Sequence, residues 1–183
     1  ESAQVIEALE FAAGLSTRWR VAPGYAEQAQ SPVNVMFETG RVAMCFYGQW
    51  FAPQFRKNIK NFAWGVVTPP RAREDVYVSG GMVGYGIYAY SERAAETWRF
   101  MESLVGPQGQ EAIARIGWNI PAHKATAYGP VFVDNPDLDG EVTRTFLRAA
   151  EKTRLFQHSP YITSSEFRLH FNPEWELVML GEK

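Results

Sequence analysis

The spacing of hydrophobic positions changes several times along the chain, and each change marks an element. Val5, Ile6, Leu9, Ala12 and Ala13 recur at helical spacing, which predicts a first helix over about residues 2–15. A polar stretch with Pro23, Gly24 and Pro32 reads as loop. Ser31-Pro32 then predicts a helix start, with Ser31 as cap and Pro32 in the first turn. This short helix carries Val33, Met36 and Phe37 and ends near Gly40. Residues 41–47 form an apolar, strand-like run closed by Gly48. After Gly48 a second short helix is expected to carry Trp50, Phe51 and Phe55. Residues 61–67 read as another strand, stopped by Pro69-Pro70.

Residues 76–90 are rich in glycine and β-formers, so they predict strand with a tight turn at Gly80-Gly81. Ser91 is the expected cap of a helix over 92–105. Its Ala95, Trp98, Phe100, Met101 and Leu104 make a core-facing stripe. Gly106-Pro107 breaks that helix, and Pro107 suits the first turn of the next, which runs to about Ile116. Residues 117–136 read as largely irregular. A helix over 141–154 follows. The last helix is expected over 165–180, interrupted near Pro173 and stopped by Gly181. No internal repeat or low-complexity segment is visible. The mixture predicts an α/β or α+β fold.

Composition narrows the function classes. Of the 183 residues, 46% are hydrophobic, enough for a core. A net charge of -2 argues against a nucleic-acid footprint, which wants a basic patch. No apolar run approaches the roughly 18 residues that span a membrane. Cys45 is the single cysteine, so an internal disulfide is excluded and either redox compartment fits. The sequence opens on Glu1 rather than methionine and enters a helical pattern at once. The expectation is a fragment whose upstream part, with any export signal, lies outside it.

Several motifs imitate known chemistry. Residues 84–89, Gly-Tyr-Gly-Ile-Tyr-Ala, match a dinucleotide fingerprint, but that motif must open a helix after a strand. Here the glycines lie within a strand pattern. Residues 135–140, Asn-Pro-Asp-Leu-Asp-Gly, imitate the start of a calcium loop. The twelfth position is Phe146 rather than a bidentate glutamate, so a turn capping the next helix is expected instead. His123, His158 and His170 have no zinc-like spacing to each other or to Cys45. No cofactor and no metal are expected. Cys45 reads as an inert buried thiol. No nucleophile elbow and no singled-out acidic pair are found, so no catalytic role is assigned.

The order of motifs resembles the extracellular solute-binding proteins of ABC importers, and within them the sugar-binding family that includes maltose-binding protein. Residues 37–44 resemble the family's "F-x-x-G-x-A-A-M" passage. Gly48-Gln49-Trp50 resembles its "G-x-W" loop. Residues 62–69 resemble "F-x-W/Y-G-V-x-P". Residues 78–87 resemble its Gly-rich crossing strand, and 95–105 its "A-W-x-F-I-x-F-L" helix. Residues 107–110 and 117–122 resemble "S-x-E-x-Q" and "G-x-x-P-A".

The resemblance implies a periplasmic-binding-protein-like fold of two α/β lobes around a cleft. Residues 1–78 and 123–183 would belong to the C-terminal lobe, and 79–122 would cross into the N-terminal lobe. The rest of that lobe would lie in the missing N-terminal part of the same protein. Hinges would run near residues 69–81 and 120–131. The implied partners are a small solute, first of all a sugar, and the permease subunits of the importer. The implied location is periplasmic or extracellular, with lipid anchoring open.

The resemblance also implies site residues. The tryptophan of "G-x-W" stacks on ligand in the family, which points to Trp50; core packing is its other reading. Gly80, Gly81 and Met82 fall at a cleft-edge turn, where glycine lets backbone approach a ligand, or at an ordinary turn. Trp118 either lines the cleft or wedges the hinge, and the hinge is favoured. Phe167 and Arg168 fall where the family places an aromatic cleft residue. Phe167 stands where maltose-binding protein has tryptophan, at or beside this position, which weakens maltose itself as ligand. Arg168 either forks onto a ligand oxygen or is a solvated helix charge. Trp19, Trp64, Trp98 and Trp175 read as packing residues. A non-sugar solute on the same scaffold remains the alternative, though an iron-type site would want more than Tyr161 alone. A carbohydrate-active enzyme with upstream catalytic residues is a further one.

Overall fold

The computed structural model describes residues 2–70, 77–79, 81–155 and 159–183. The chain divides into two compact units, residues 1–46 with 157–183, and residues 47–156.

The first unit is helical. α1 spans Ala3–Thr17, α2 Tyr25–Gln30, α3 Val33–Glu38 and α10 Ser164–Leu180. α1 packs against α10, and Ser16 Oγ lies 3.9 Å from Met179 Sδ between them. Trp19 folds back over Gly14, where an added Cβ would come within 2.9 Å of the indole. Phe11 meets the same ring at 5.7 Å. α3 is capped at Pro32 and no side chain caps it, one residue later than the Ser31 cap expected from sequence. Its Met36 is fully buried, and the Met36 carbonyl accepts from the amides of Arg41 and Val42. α10 begins with a capping box: Thr163 Oγ1 accepts from the Glu166 amide, and the Glu166 carboxylate accepts from the Thr163 amide. Pro173 sits inside α10 without ending it.

The second unit holds a 3-10 turn, Gln49–Phe51, followed by α4, Ala52–Asn58. Strand β1, Tyr77–Ser79, pairs in parallel with β2, Thr153–Leu155. Between them come α5, Ala94–Val105, α6, Pro107–Ile116, α7, Lys124–Ala127, α8, Pro130–Val133, and α9, Gly140–Glu151. The core gathers Ala114, Ala127, Phe132, Leu138 and Leu147, with Ile120, Val131 and Val133 packed against them. Phe132 and Ala114 are wholly enclosed. Burying one such phenylalanine contributes about 1.5–3 kcal/mol. α9 enters this core through Val142 with Thr145 and Thr143 with Leu147, pairs three and four apart. Its cap is Asp139, whose Oδ1 accepts from the amides of Glu141 at 2.9 Å and Val142 at 3.4 Å. The calcium-loop imitation is thus a helix cap, as its missing glutamate implied.

The longer helices lie where periodicity predicts them, α2 forms in a stretch expected to be loop, and most expected strands do not form among the described residues. Residues 41–47 and 61–67 form no strand among the described residues, and 81–88 run without a ladder. Val76 and Gly80 lie outside the described residues. A β-pattern becomes a strand only when a neighbour completes its backbone hydrogen bonds, and of these patterns, among the described residues, only 77–79 finds one. Residues 117–136, expected to be irregular, contain α7 and α8. The stripe on α5 is not core: no α5 residue is buried, and Trp98 and Phe100 face solvent. An amphipathic stripe is buried only if another element covers it, and the packing of α6 against α5 leaves these residues exposed.

Candidate functional site

The loop carrying Trp50 is built from the aromatic residues around it. Tyr47, Phe51, Phe55 and Trp64 form a continuous ring cluster. Centroids are 4.2 Å apart for Tyr47–Phe51, 5.5 Å for Phe51–Phe55 and 5.8 Å for Phe55–Trp64. Phe55 is buried and anchors the group. On this base Gly48 is extended, and its carbonyl accepts from the Phe51 amide to close the 3-10 turn. The turn sends alternate side chains in opposite directions. Gln49 goes inward, 5% exposed, and Trp50 goes outward, 56% exposed.

Gly48 is required by that arrangement. The Trp50 indole lies directly over it, and a Cβ at position 48 would fall 2.0 Å from Trp50 Cζ3. The "G-x-W" spacing therefore has a steric cause: glycine makes room for the ring.

Gln49 reaches across the second unit. Its Nε2 donates to the Gly117 carbonyl at 3.1 Å. Gly117 ends α6 in the left-handed conformation, φ 74°, with its α-hydrogen side against Leu138. Trp118 follows immediately and is 59% exposed. Gln49 thus ties the Trp50 loop to the Trp118 turn. A second buried glutamine holds that turn from the other side: Gln110 Oε1 accepts from the Ala122 amide at 2.8 Å. Asn135 Nδ2 adds a bond to the Arg115 carbonyl at 3.1 Å. Arg56 Nη1 donates to the Asp137 carbonyl at 2.9 Å, linking α4 to the same loop region.

The other expected residues are dispersed. Gly80 lies outside the described residues. Gly81 has φ 124° with open space where a Cβ would stand, and Met82 is exposed. Phe167 and Arg168 belong to the first unit. Phe167 is half exposed and stacks on Phe171 at 5.2 Å, which stacks on Trp175 at 6.0 Å. Arg168 is exposed on α10. Of the remaining tryptophans, Trp19, Trp64 and Trp175 pack on other rings, whereas Trp98 is exposed.

The residues that organise this site, Gln49 and Gln110, were not singled out from sequence. Both lie inside matched motifs, but periodicity does not reveal which carbonyl or amide a buried glutamine meets.

Partial burial pushes the Cys45 thiol up from its ordinary range, away from thiolate reactivity. Among the described residues no group of three or more His, Cys, Asp or Glu side chains could hold a metal ion. Nor is any helix among them long and apolar enough to cross a membrane. Of the exposed indoles in the second unit, those of Trp50 and Trp118 are linked through the buried amide of Gln49.

Residues 1–140 match the bacterial extracellular solute-binding proteins, so the chain belongs to this family. The family's members bind a solute outside the cytoplasm for a transporter, and binding rather than catalysis is their general role. Comparison with curated proteins returns no match.

Proposed function

We propose that this chain is part of the ligand-binding component of an ABC importer that captures a mono- or oligosaccharide and delivers it to the permease subunits. The observation that carries the reading is Trp50. Its ring is exposed and lies over a glycine that leaves its position clear, in a turn that runs into the Tyr47–Phe51–Phe55 ring cluster. An indole so held offers a flat apolar face to the C–H face of a pyranose and keeps its N–H to donate. In this reading Gly81, Met82 and Trp118 contribute further contacts.

In this reading residues 79–122 serve the N-terminal lobe, and hinges lie near 69–81 and 120–131. Solute favours closure because the closed form adds contacts from the second lobe. The protein works in the periplasm or at the cell exterior, with or without a lipid anchor.

The test is intrinsic fluorescence and thermal shift of the protein containing this chain against glucose, xylose, maltose, trehalose and raffinose. Saturable quenching and a raised melting temperature with at least one sugar are expected. Silence across the panel would sink the carbohydrate reading. Trp50→Ala should abolish the response while leaving the unliganded melting temperature within a few degrees; unchanged affinity would reject stacking.

A further inference from the structure

Gln49 is buried, and its Nε2 donates to the Gly117 carbonyl at 3.1 Å. Its Oε1 is equally enclosed and meets no donor among the described residues. The side chain points away from the surface that Trp50 occupies, so it cannot touch a solute lying there. Its place in the site must be sought in what it holds.

An amide in this condition adds little to stability. One amide–carbonyl bond gives a small net gain, because water offers the same bond in the unfolded chain. A buried acceptor left without a donor costs at least as much. An apolar side chain of the same length would fill the space without that cost. What the amide supplies instead is direction: a hydrogen bond holds only within a limited range of angles, whereas apolar contact is non-directional.

Direction matters because of what lies at each end of the bond. Gln49 and Trp50 are consecutive in the short turn that the Gly48 carbonyl and Phe51 amide close. With position 49 pinned inward, position 50 is committed outward, and the indole settles over Gly48. At the other end Gly117 is itself fixed, in the left-handed conformation that stops α6. The stretch after it is held where Gln110 Oε1 accepts from the Ala122 amide at 2.8 Å. The Trp50 turn is thus tied to an anchored carbonyl outside its own helix. We propose that Gln49 is a positioning residue, whose bond to Gly117 holds the Trp50 indole in the orientation that receives solute without touching the solute. This rests on the sugar reading above and deepens it. Stacking needs the ring face aligned, and a ring left free to turn loses affinity to its own ordering on binding. A site whose supporting bonds are absent is present but loose.

The test uses the protein containing this chain and the sugar of the panel above that wild type binds most tightly. Gln49→Met keeps the side chain's length and removes both amide ends. Its affinity should fall about tenfold, while the unliganded melting temperature stays level or rises. A residue kept only for stability gives the opposite pair, a lowered melting temperature with unchanged affinity. Gln49→Glu sets an acceptor against the Gly117 carbonyl while ionised and restores a donor when protonated. Its affinity should be weak at about pH 8 and recover toward the wild-type value, measured in parallel, as pH falls to about 5, because burial raises a carboxyl into that range. In 19F NMR of fluorotryptophan-labelled protein, with Trp50 assigned through Trp50→Phe, the Trp50 line should be sharp in wild type and broadened or split in Gln49→Met. Affinity within twofold of wild type, an unchanged Trp50 line, or a Gln49→Met protein that fails to fold each overturns the positioning role and leaves Trp50 stacking intact. If wild type binds no sugar, the sugar reading falls on that result alone, and the Trp50 line still decides whether Gln49 positions the ring.

Discussion

Single residues in this chain matter through the atoms that crowd them. Gly117 shows this most directly. It takes φ 74°, and a Cβ there would stand 2.3 Å from Leu138 Cδ2. Conformation and space both demand glycine, since L-residues are strained in the left-handed region. Gly117→Ala should therefore destabilise the second unit by about 1–3 kcal/mol. Chemical denaturation followed by tryptophan fluorescence measures it, and a loss below about 0.5 kcal/mol would show that Leu138 gives way. Because Gly117 also carries the carbonyl that Gln49 holds, the same change should disturb Trp118 and Trp50 together. Gly48 is legible in sequence only as part of a motif. The structure supplies its cause, the indole lying over it.

At the scale of elements, caps decide where helices begin. Asp139 satisfies two amides of α9, so Asp139→Ala should cost about 1 kcal/mol, with Asp139→Asn costing less because it keeps the acceptor. Comparison of melting temperatures separates the two. The start of α10 carries a pH dependence. The Thr163 amide, and then its hydroxyl, hold the Glu166 carboxyl below the usual carboxylate range. A carboxyl whose folded pKa is lowered stabilises the fold above its unfolded value. That contribution is lost as pH falls through the folded value. Stability of the first unit should thus decline as pH drops from about 5 toward 3, and Glu166→Gln should flatten that decline. A pH series of thermal melts reads it; an identical slope in the variant would assign the dependence elsewhere.

Elements also show what a pattern leaves open. The helices at 3–17, 107–116, 140–151 and 164–180 agree with periodicity within a few residues because a helix closes its own hydrogen bonds. The expected strands at 41–47 and 61–67 lack that autonomy.

For the molecule as a whole, stability of the second unit rests on a small core around Phe132. Phe132→Ala removes its most enclosed ring and should cost about 3–5 kcal/mol, a large share of the 5–15 kcal/mol typical of a domain. Urea unfolding monitored at the second unit's tryptophans checks this. A loss below about 1 kcal/mol would mean that the core of α6, α7, α8 and α9 is not what holds the unit.

The sequence by itself determined most of the longer helices, the stop at Gly181, the capping turn before α9 and the membership of the extracellular solute-binding proteins. Each depends on neighbours within a few positions or on motifs kept in order. Only the tertiary structure decided which apolar stripes are covered, which β-patterns gain a ladder, and which buried amides meet. Trp98 and Gln49 make the contrast plain. A patterned tryptophan stayed exposed for want of a covering element. An unremarked glutamine went inside because a carbonyl 68 positions away was there to receive it.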